Sequence, residues 1–265
     1  MPQLTDRAKI RTILETDRPW TAYALADLEP GFFEYSRWFS SVDEVSALAL
    51  VYSAPHSAFA TPVLMTLGTA PELRLILHEI ETTLHPRELY AIVRPEVLPL
   101  LAERYQLTHE KAMQRMTLDP KCYEPIATES VVRLGPTDLE AVQRLYADGE
   151  ASGESPAWFL SEMLAQGVYY GIRENEACVA VAGTHVVAAG EGVGCLGNIY
   201  TRRDRRGRGL STQVTSAVTA HLSTMPLRTI ALNVRENNPA AIRVYERLGF
   251  QRYCGYMEAV ASKRA

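Results

Sequence analysis

Cysteine is scarce and scattered. The four residues Cys122, Cys178, Cys195 and Cys254 show no Cys-x-x-Cys spacing, which argues against a zinc ribbon or a dense disulfide framework and fits a reducing compartment. The six histidines include no pair at the helical ligand spacing of a metalloprotease, so no metal is expected. No run approaches the ~18 apolar residues of a membrane span. Met1 to Glu15 alternates charges with isolated apolar positions, where a secretory leader needs a continuous apolar stretch. A basic excess is missing too: 27 Lys and Arg against 31 Asp and Glu leave a net charge of -4, which gives no general attraction to nucleic acid or anionic lipid. The expectation is a cytoplasmic protein with neither a nucleic-acid nor a membrane partner; nothing in the sequence sets its oligomeric state.

What is present is globular. With 47% hydrophobic and 22% charged residues the composition leaves no case for disorder. The 265 residues exceed the roughly 100 to 200 of a single-core domain, so two domains are expected. Leu73, Ile76, Leu77, Ile80 and Leu84 recur at helical steps after a short apolar strand, Pro62 to Leu67. Leu89 to Val93 reads as a strand, Pro95 to Tyr105 as a helix, and Ala112 to Leu118 as a strand. The second half repeats this order: a strand at Leu196 to Thr201, a helix at Ser211 to Leu222, a strand at Thr229 to Val234, a helix at Pro239 to Leu248, and a strand at Phe250 to Met257. This order suggests a diverged internal duplication, although any α/β chain alternates in the same way. Asp119 to Ser130, with Pro120 and Pro125, reads as the linker. Thr137 to Tyr146 and Pro156 to Leu164 are helix candidates, and Val179 to Val187 is a strand turned through Gly190 and Gly192 into Val193 to Thr201.

Arg206-Gly207-Arg208-Gly209-Leu210-Ser211 lies between a strand and a helix whose apolar face includes Val214, Val218 and Leu222. Glycines admit close backbone approach, and the first amides of a helix are unpaired donors at its positive end, so this turn suits a pyrophosphate. It is neither a Walker A loop nor a dinucleotide fingerprint. Five arginines between Arg202 and Arg208 could be read as a nucleic-acid patch; neutralisation of phosphates on a small ligand, with the remainder solvated, is the simpler account.

At these residues the sequence resembles the GNAT superfamily of acyl-CoA-dependent N-acyltransferases, whose pyrophosphate loop reads Gln/Arg-x-x-Gly-x-Gly/Ala. Arg206, Gly209 and Ser211 stand at its three positions, Ser211 departing from the usual Gly or Ala. Downstream, Asn238, Ala241, Tyr245, Gly249 and Phe250 fit the superfamily's Asn-x-x-Ala-x-x-x-Tyr-x-x-x-Gly-Phe segment. The resemblance implies an α/β (α+β) fold of two tandem GNAT-like domains, residues 1–120 and 128–265. Each would be a mixed, mostly antiparallel sheet flanked by helices, with a splayed strand pair in the second. It implies acetyl-CoA as co-substrate, its pyrophosphate cradled by Arg206, Gly207 and the amides of Arg208, Gly209, Leu210, Ser211 and Thr212. Asn238 would bond the pantetheine arm. Ile199, Tyr200 and Thr201 would line the thioester, an amide near Ile199 or Tyr200 serving as oxyanion donor. Tyr245 would protonate the departing thiolate; alone, it could equally be a core aromatic. The layout also resembles the branch related to glycine N-acyltransferases.

Many members carry a glutamate base on the strand before the loop, and here that position is Cys195. Symmetry about the Gly190 to Gly192 turn sets His185 opposite Leu196 or Gly197, so His185 is the candidate base, or else a satisfied core histidine; a one-residue slip turns it away. Asp148, Glu150 and Glu154, on the loop where the superfamily frames its acceptor, are candidates to attract a cationic amine, or else solvated loop acids. The first half's matching turn, Leu67 to Pro71, has one glycine and no arginine, and that half is expected to be degenerate and non-catalytic. The reading is transfer of an acetyl or other short acyl group to a primary amine, on a small molecule or a peptide. The alternative is an acyl-CoA-binding sensor or scaffold without turnover.

Overall fold

The structure, a computed structural model, describes residues 3–41, 47–54, 61–128, 130–154, 156 and 159–264. It divides into two units, one of Met1–Arg115, Arg235–Asn237 and Tyr253–Ala265, the other of Met116–Val234 and Asn238–Arg252. No described helix is long and apolar enough to cross a membrane.

In the first unit the strands are β1 (Gln3–Leu4), β2 (Ser36–Ser40), β3 (Leu48–Tyr52), β4 (Val63–Leu67), β5 (Glu88–Val93) and β6 (Tyr105–Leu118). The helices are α1 (Arg7–Leu14), α2 (Arg18–Ala26), α3 (Pro30–Phe33), α4 (Ala70–Leu84) and α5 (Leu98–Ala102). From β1 to β4 each neighbour is antiparallel; β4 and β5 are parallel. A parallel pair needs a crossover, and α4 supplies it. The helix buries Leu73, Ile76 and Ile80, the stripe set by the apolar spacing, in one core with Leu64, Leu89 and Ala91. Its first turn closes on itself, because Glu72 accepts from both the amide and the hydroxyl of Thr69 and Pro71 has no amide hydrogen. The helix expected over Pro95 to Tyr105 is shorter. A 3-10 turn at Pro95–Val97 leads into α5, and Tyr105 already opens β6; Pro99 lacks the donor that a helix begun at Pro95 would need.

The second unit repeats the plan with β7 (Val131–Arg133), β8 (Tyr170–Glu174), β9 (Ala177–Ala188), β10 (Val193–Thr201) and β11 (Thr229–Arg235). Its helices are α6 (Leu139–Ala147), α7 (Ser161–Gln166), α8 (Leu210–Ser223) and α9 (Pro239–Arg247). Pairing is antiparallel from β7 to β10 and parallel between β10 and β11, with α8 as crossover. Of the helix expected over Pro156 to Leu164 only the end from Ser161 is helical; Ala157 and Trp158 lie outside the described residues. The expected linker, of which Glu129 lies outside the described residues, is pinned to α8. Tyr123 donates to the Ser216 carbonyl at 2.8 Å and the Ile126 amide to the Ser216 hydroxyl at 3.1 Å.

The last strand, β12 (Gln251–Lys263), pairs antiparallel with β5 of the first unit, Met257 opposite Val93 and Ser262 opposite Glu88. The first unit's sheet is thus continued by a strand that follows the second unit's last helix. The fold is α/β, with mixed sheets flanked by helices in two tandem units.

Candidate active site

The parallel pairing of β10 and β11 runs from Val193 opposite Thr229 to Leu196 opposite Leu232, while the strands continue to Thr201 and Arg235. They part because β10 carries a bulge. Gly197 faces Gly183 on β9 and Tyr200 faces Val181, so Asn198 and Ile199 together stand opposite Ala182. Asn198 takes the left-handed conformation, φ 54. A bulge bends its strand and re-aims the backbone. The phenol of Tyr146, from the end of α6, holds the turned-out carbonyl of Asn198 at 2.7 Å. On the parted strands Thr201 Oγ1 and Asn233 Oδ1 are buried without a hydrogen-bond partner among the described residues. Orphaned buried polar atoms are rare in folded proteins, and these two suit a ligand carrying amide and hydroxyl groups.

Where β10 ends, the chain turns into α8 through Gly207 and Gly209, both at φ 76. A side chain there would strain the backbone. Gly209 caps α8 without a side-chain hydrogen bond, and the first turn holds no acid. The amides of Leu210, Ser211 and Thr212 are therefore left open at the positive end of a four-turn helix, in contrast to the self-closed start of α4. Arg206 forks onto Glu154, 3.1 and 3.2 Å, reaches the Thr201 carbonyl at 3.2 Å and lies over the Tyr200 ring. Arg203 pairs with the same carboxylate at 3.4 Å. Asp148 accepts from the Tyr200 phenol at 2.8 Å and from the Arg203 amide at 3.0 Å. These donors hold Asp148 below the usual carboxylate range, and Arg206 and Ser152 do the same for Glu154. Glu154 thus stands at the arginines of the loop. Glu150 is exposed, with no described side-chain partner.

Asn238 caps α9 by accepting from the Ala241 amide at 3.1 Å, which engages its carbonyl oxygen and leaves its NH2 group for other partners. Two turns on, Tyr245 is 6% exposed. It shares a core with Leu196, Leu232, Val234 and Ile242, against which Ile199 and Leu210 also pack. Bulge, helix start and Tyr245 therefore meet on one apolar cluster. The Tyr245 hydroxyl makes no hydrogen bond to a described residue. Burial pushes its pKa well up, so the phenol stays protonated at neutral pH.

Cys195, at the glutamate position of the resemblance, is fully buried opposite Val186 and Ala231. His185 is reached by a second bulge. Thr184 faces Leu196 and Val186 faces Cys195, so His185 is the extra residue of β9. Its imidazole covers Gly197, where a Cβ would fall 2.1 Å from Nε2. The side chain keeps solvent access. Desolvation by the surrounding protein lowers its pKa, opposed in part by the nearby Asn198 side chain. Tyr169 likewise covers Gly183, a Cβ there falling 2.0 Å from its ring. The facing pair Gly183 and Gly197 is thus the floor for both rings. Sequence reasoning missed Tyr146 and Tyr169; Asp148 lay on the loop expected to meet the acceptor, and Asn198 on the strand expected to line the thioester.

Residues 169–258 match the family model described as FR47-like protein. A mycothiol acetyltransferase of Thermobispora bispora is 42% identical over 74 residues, 26% of this chain and 25% of that protein. The chain thus aligns with about a quarter of the length of the curated relatives it matches. Among solved structures, a GNAT-family protein of Novosphingobium aromaticivorans superposes with a TM-score of 0.64 at 19% identity, over 94% of this chain and 100% of that one. A tandem GNAT protein from the clavulanic acid biosynthesis pathway gives 0.56 at 15% identity, over 87% and 83%. The fold is therefore that of the GNAT acetyltransferases, and the FR47-like match falls on the segment that carries β10, the open helix start and Tyr245.

Proposed function

We propose that the second unit transfers an acetyl or other short acyl group from acetyl-CoA to a primary amine, on a small molecule or a peptide, by direct attack in a ternary complex. The observation that carries this reading is the parting of β10 and β11, with orphaned Asn233 and Thr201 beside an uncapped helix start. The amides of α8, with Arg206 and Arg208, bind the pyrophosphate, Asn233 and Asn238 bond the pantetheine arm, and the bulge presents an amide near Ile199 or Tyr200 to the thioester oxygen. His185 takes one proton from the acceptor's ammonium, and the freed amine attacks the thioester carbon. The C–N bond forms, and the oxygen charge is held by the bulge amide. Collapse breaks the C–S bond, Tyr245 protonates the sulfur, and the remaining ammonium proton restores Tyr245. The products are the amide and free CoA, with one proton released through His185.

The test is thiol release from acetyl-CoA by the full chain across a panel of primary amines. Amine-dependent release is expected. Tight acetyl-CoA binding with no release on any amine would replace the enzyme by a sensor.

A further inference from the structure

Asn198 is held in its left-handed conformation from two directions. Its backbone carbonyl can only accept, so the 2.7 Å contact with α6 is a bond that Tyr146 donates. Its Nδ2 donates to the Tyr169 oxygen at 2.8 Å, while the Tyr169 hydrogen goes to the Thr184 carbonyl, also at 2.8 Å. Both rings are fixed by packing. Tyr146 and Tyr169 are 4% and 0% exposed and meet Phe159 edge-on, with centroids 5.1 and 5.4 Å away. Burial raises both phenol pKa values, so each keeps the hydrogen it donates. Asparagine enters the left-handed region more readily than most residues but does not prefer it, so the conformation depends on these anchors.

A peptide unit is planar, and in its trans form the C=O and N–H point in opposite directions. Fixing the Asn198 carbonyl on Tyr146 therefore turns the Ile199 N–H away from α6, to the side of β10 on which Ile199 packs with Tyr245. The next amide is already committed. Arg202 donates to the Val179 carbonyl at 2.9 Å, and Tyr200 stands opposite Val181 in the same register. Hydrogen-bonded pairs alternate along an antiparallel ladder, so the Tyr200 amide faces β9. We propose that Tyr146, with Tyr169 as a second anchor, is the positioning residue of the bulge, and that it aims the Ile199 amide, and not that of Tyr200, at the thioester oxygen. This rests on the reading of the bulge as the oxyanion site. A donor aimed before the substrate arrives needs no reorganisation when charge develops.

Two measurements on the full chain test this. Backbone chemical shifts of Asn198 and Ile199 in the free protein report the conformation of the bulge. With acetyl-CoA labelled with 13C at the thioester carbonyl, the infrared stretching frequency of that carbonyl reports the hydrogen bond it receives, and a downward shift on binding is expected in the wild type. Tyr146→Phe keeps the ring on Phe159 and removes only the donor. It should move the Asn198 shifts out of the left-handed range, abolish the change in carbonyl frequency, and lower kcat roughly tenfold or more with the KM for acetyl-CoA unchanged. Tyr169→Phe should act in the same direction to a smaller extent, and carries the test if Tyr146→Phe does not fold. Wild-type Asn198 shifts in folded Tyr146→Phe overturn the anchoring. If the bulge relaxes while the carbonyl frequency stays as in the wild type, the Ile199 amide is not the donor and the proposal is lost. Absence of acetyl-CoA binding by the wild-type chain would instead sink the functional reading, and the bulge shifts alone would then decide the anchoring.

Discussion

Tyr245 allows packing and chemistry to be separated, because phenylalanine preserves the ring that packs on Phe250, 6.2 Å between centroids, and deletes a hydroxyl that satisfies no described residue. Tyr245→Phe should therefore melt close to wild type, since no hydrogen bond of about 1 kcal/mol is lost. Its turnover under saturating acetyl-CoA should fall by roughly one to three orders of magnitude; turnover equal to wild type, with chemistry rate-limiting, would falsify its role as the acid. His185 sets the pH dependence. Its folded pKa lies below the ordinary value, so the neutral, competent ring persists to lower pH than for a free imidazole. The acid limb of kcat/KM should fall below the ordinary histidine value of about 6.5. The linkage has the same sign: the unfolded chain binds this proton more readily, so the contribution to stability is present above the unfolded pKa and is lost as pH falls. A limb above 7 would assign it to another group. Tyr245 was legible because its motif is local. Tyr146 and Tyr169 were not, since they reach Asn198 from other elements and nothing in their own neighbourhoods marks them.

At the scale of elements, the two crossover helices differ in how they begin. The start of α4 is closed by Thr69 and Glu72, whereas α8 begins at a bare Gly209 directly after Arg208. Gly209→Asp would place a β-carbon at φ 76 and a negative charge at the same point. CoA affinity, by calorimetric titration of the full chain, should drop at least about tenfold, a loss of ~1.4 kcal/mol or more. Unchanged affinity in a folded variant would remove the loop from the site. These helices, and the strands they join, could be read from apolar period and from glycine and proline placement. The β8 and β9 hairpin was missed because its tight turn is Asn175-Glu176, both at positive φ, in place of a glycine-bearing pair. The register of β9 on β10 could be read only to within a residue, since a bulge leaves no mark in the sequence; that residue decides where His185 points.

For the whole molecule, alternation of strand and helix was enough to expect two similar halves, and the pairing patterns of β1 to β5 and β7 to β11 are the same. The partner of β5 was not legible. A strand's own sequence encodes which face is apolar, not which distant edge it joins, and the strands β7 to β11 all lie between β5 and β12 along the chain. A chain ended at Arg252 should therefore expose the edge of β5, with Leu89, Ala91 and Val93 unprotected behind it. Light scattering after size exclusion should show aggregates; a monodisperse truncated chain would mean that β5 closes its edge by other means.

The same strand orders events during synthesis. While the polypeptide is still emerging from the ribosome, everything up to β11 can be outside and the first-made unit remains unfinished, because β5 lacks its neighbour until Met257 and the residues after it have been translated. The unit translated second holds its own pairs from β7 to β11 and can settle earlier. Pairing over so long a separation closes slowly, so the amino-terminal unit should acquire its protease resistance last.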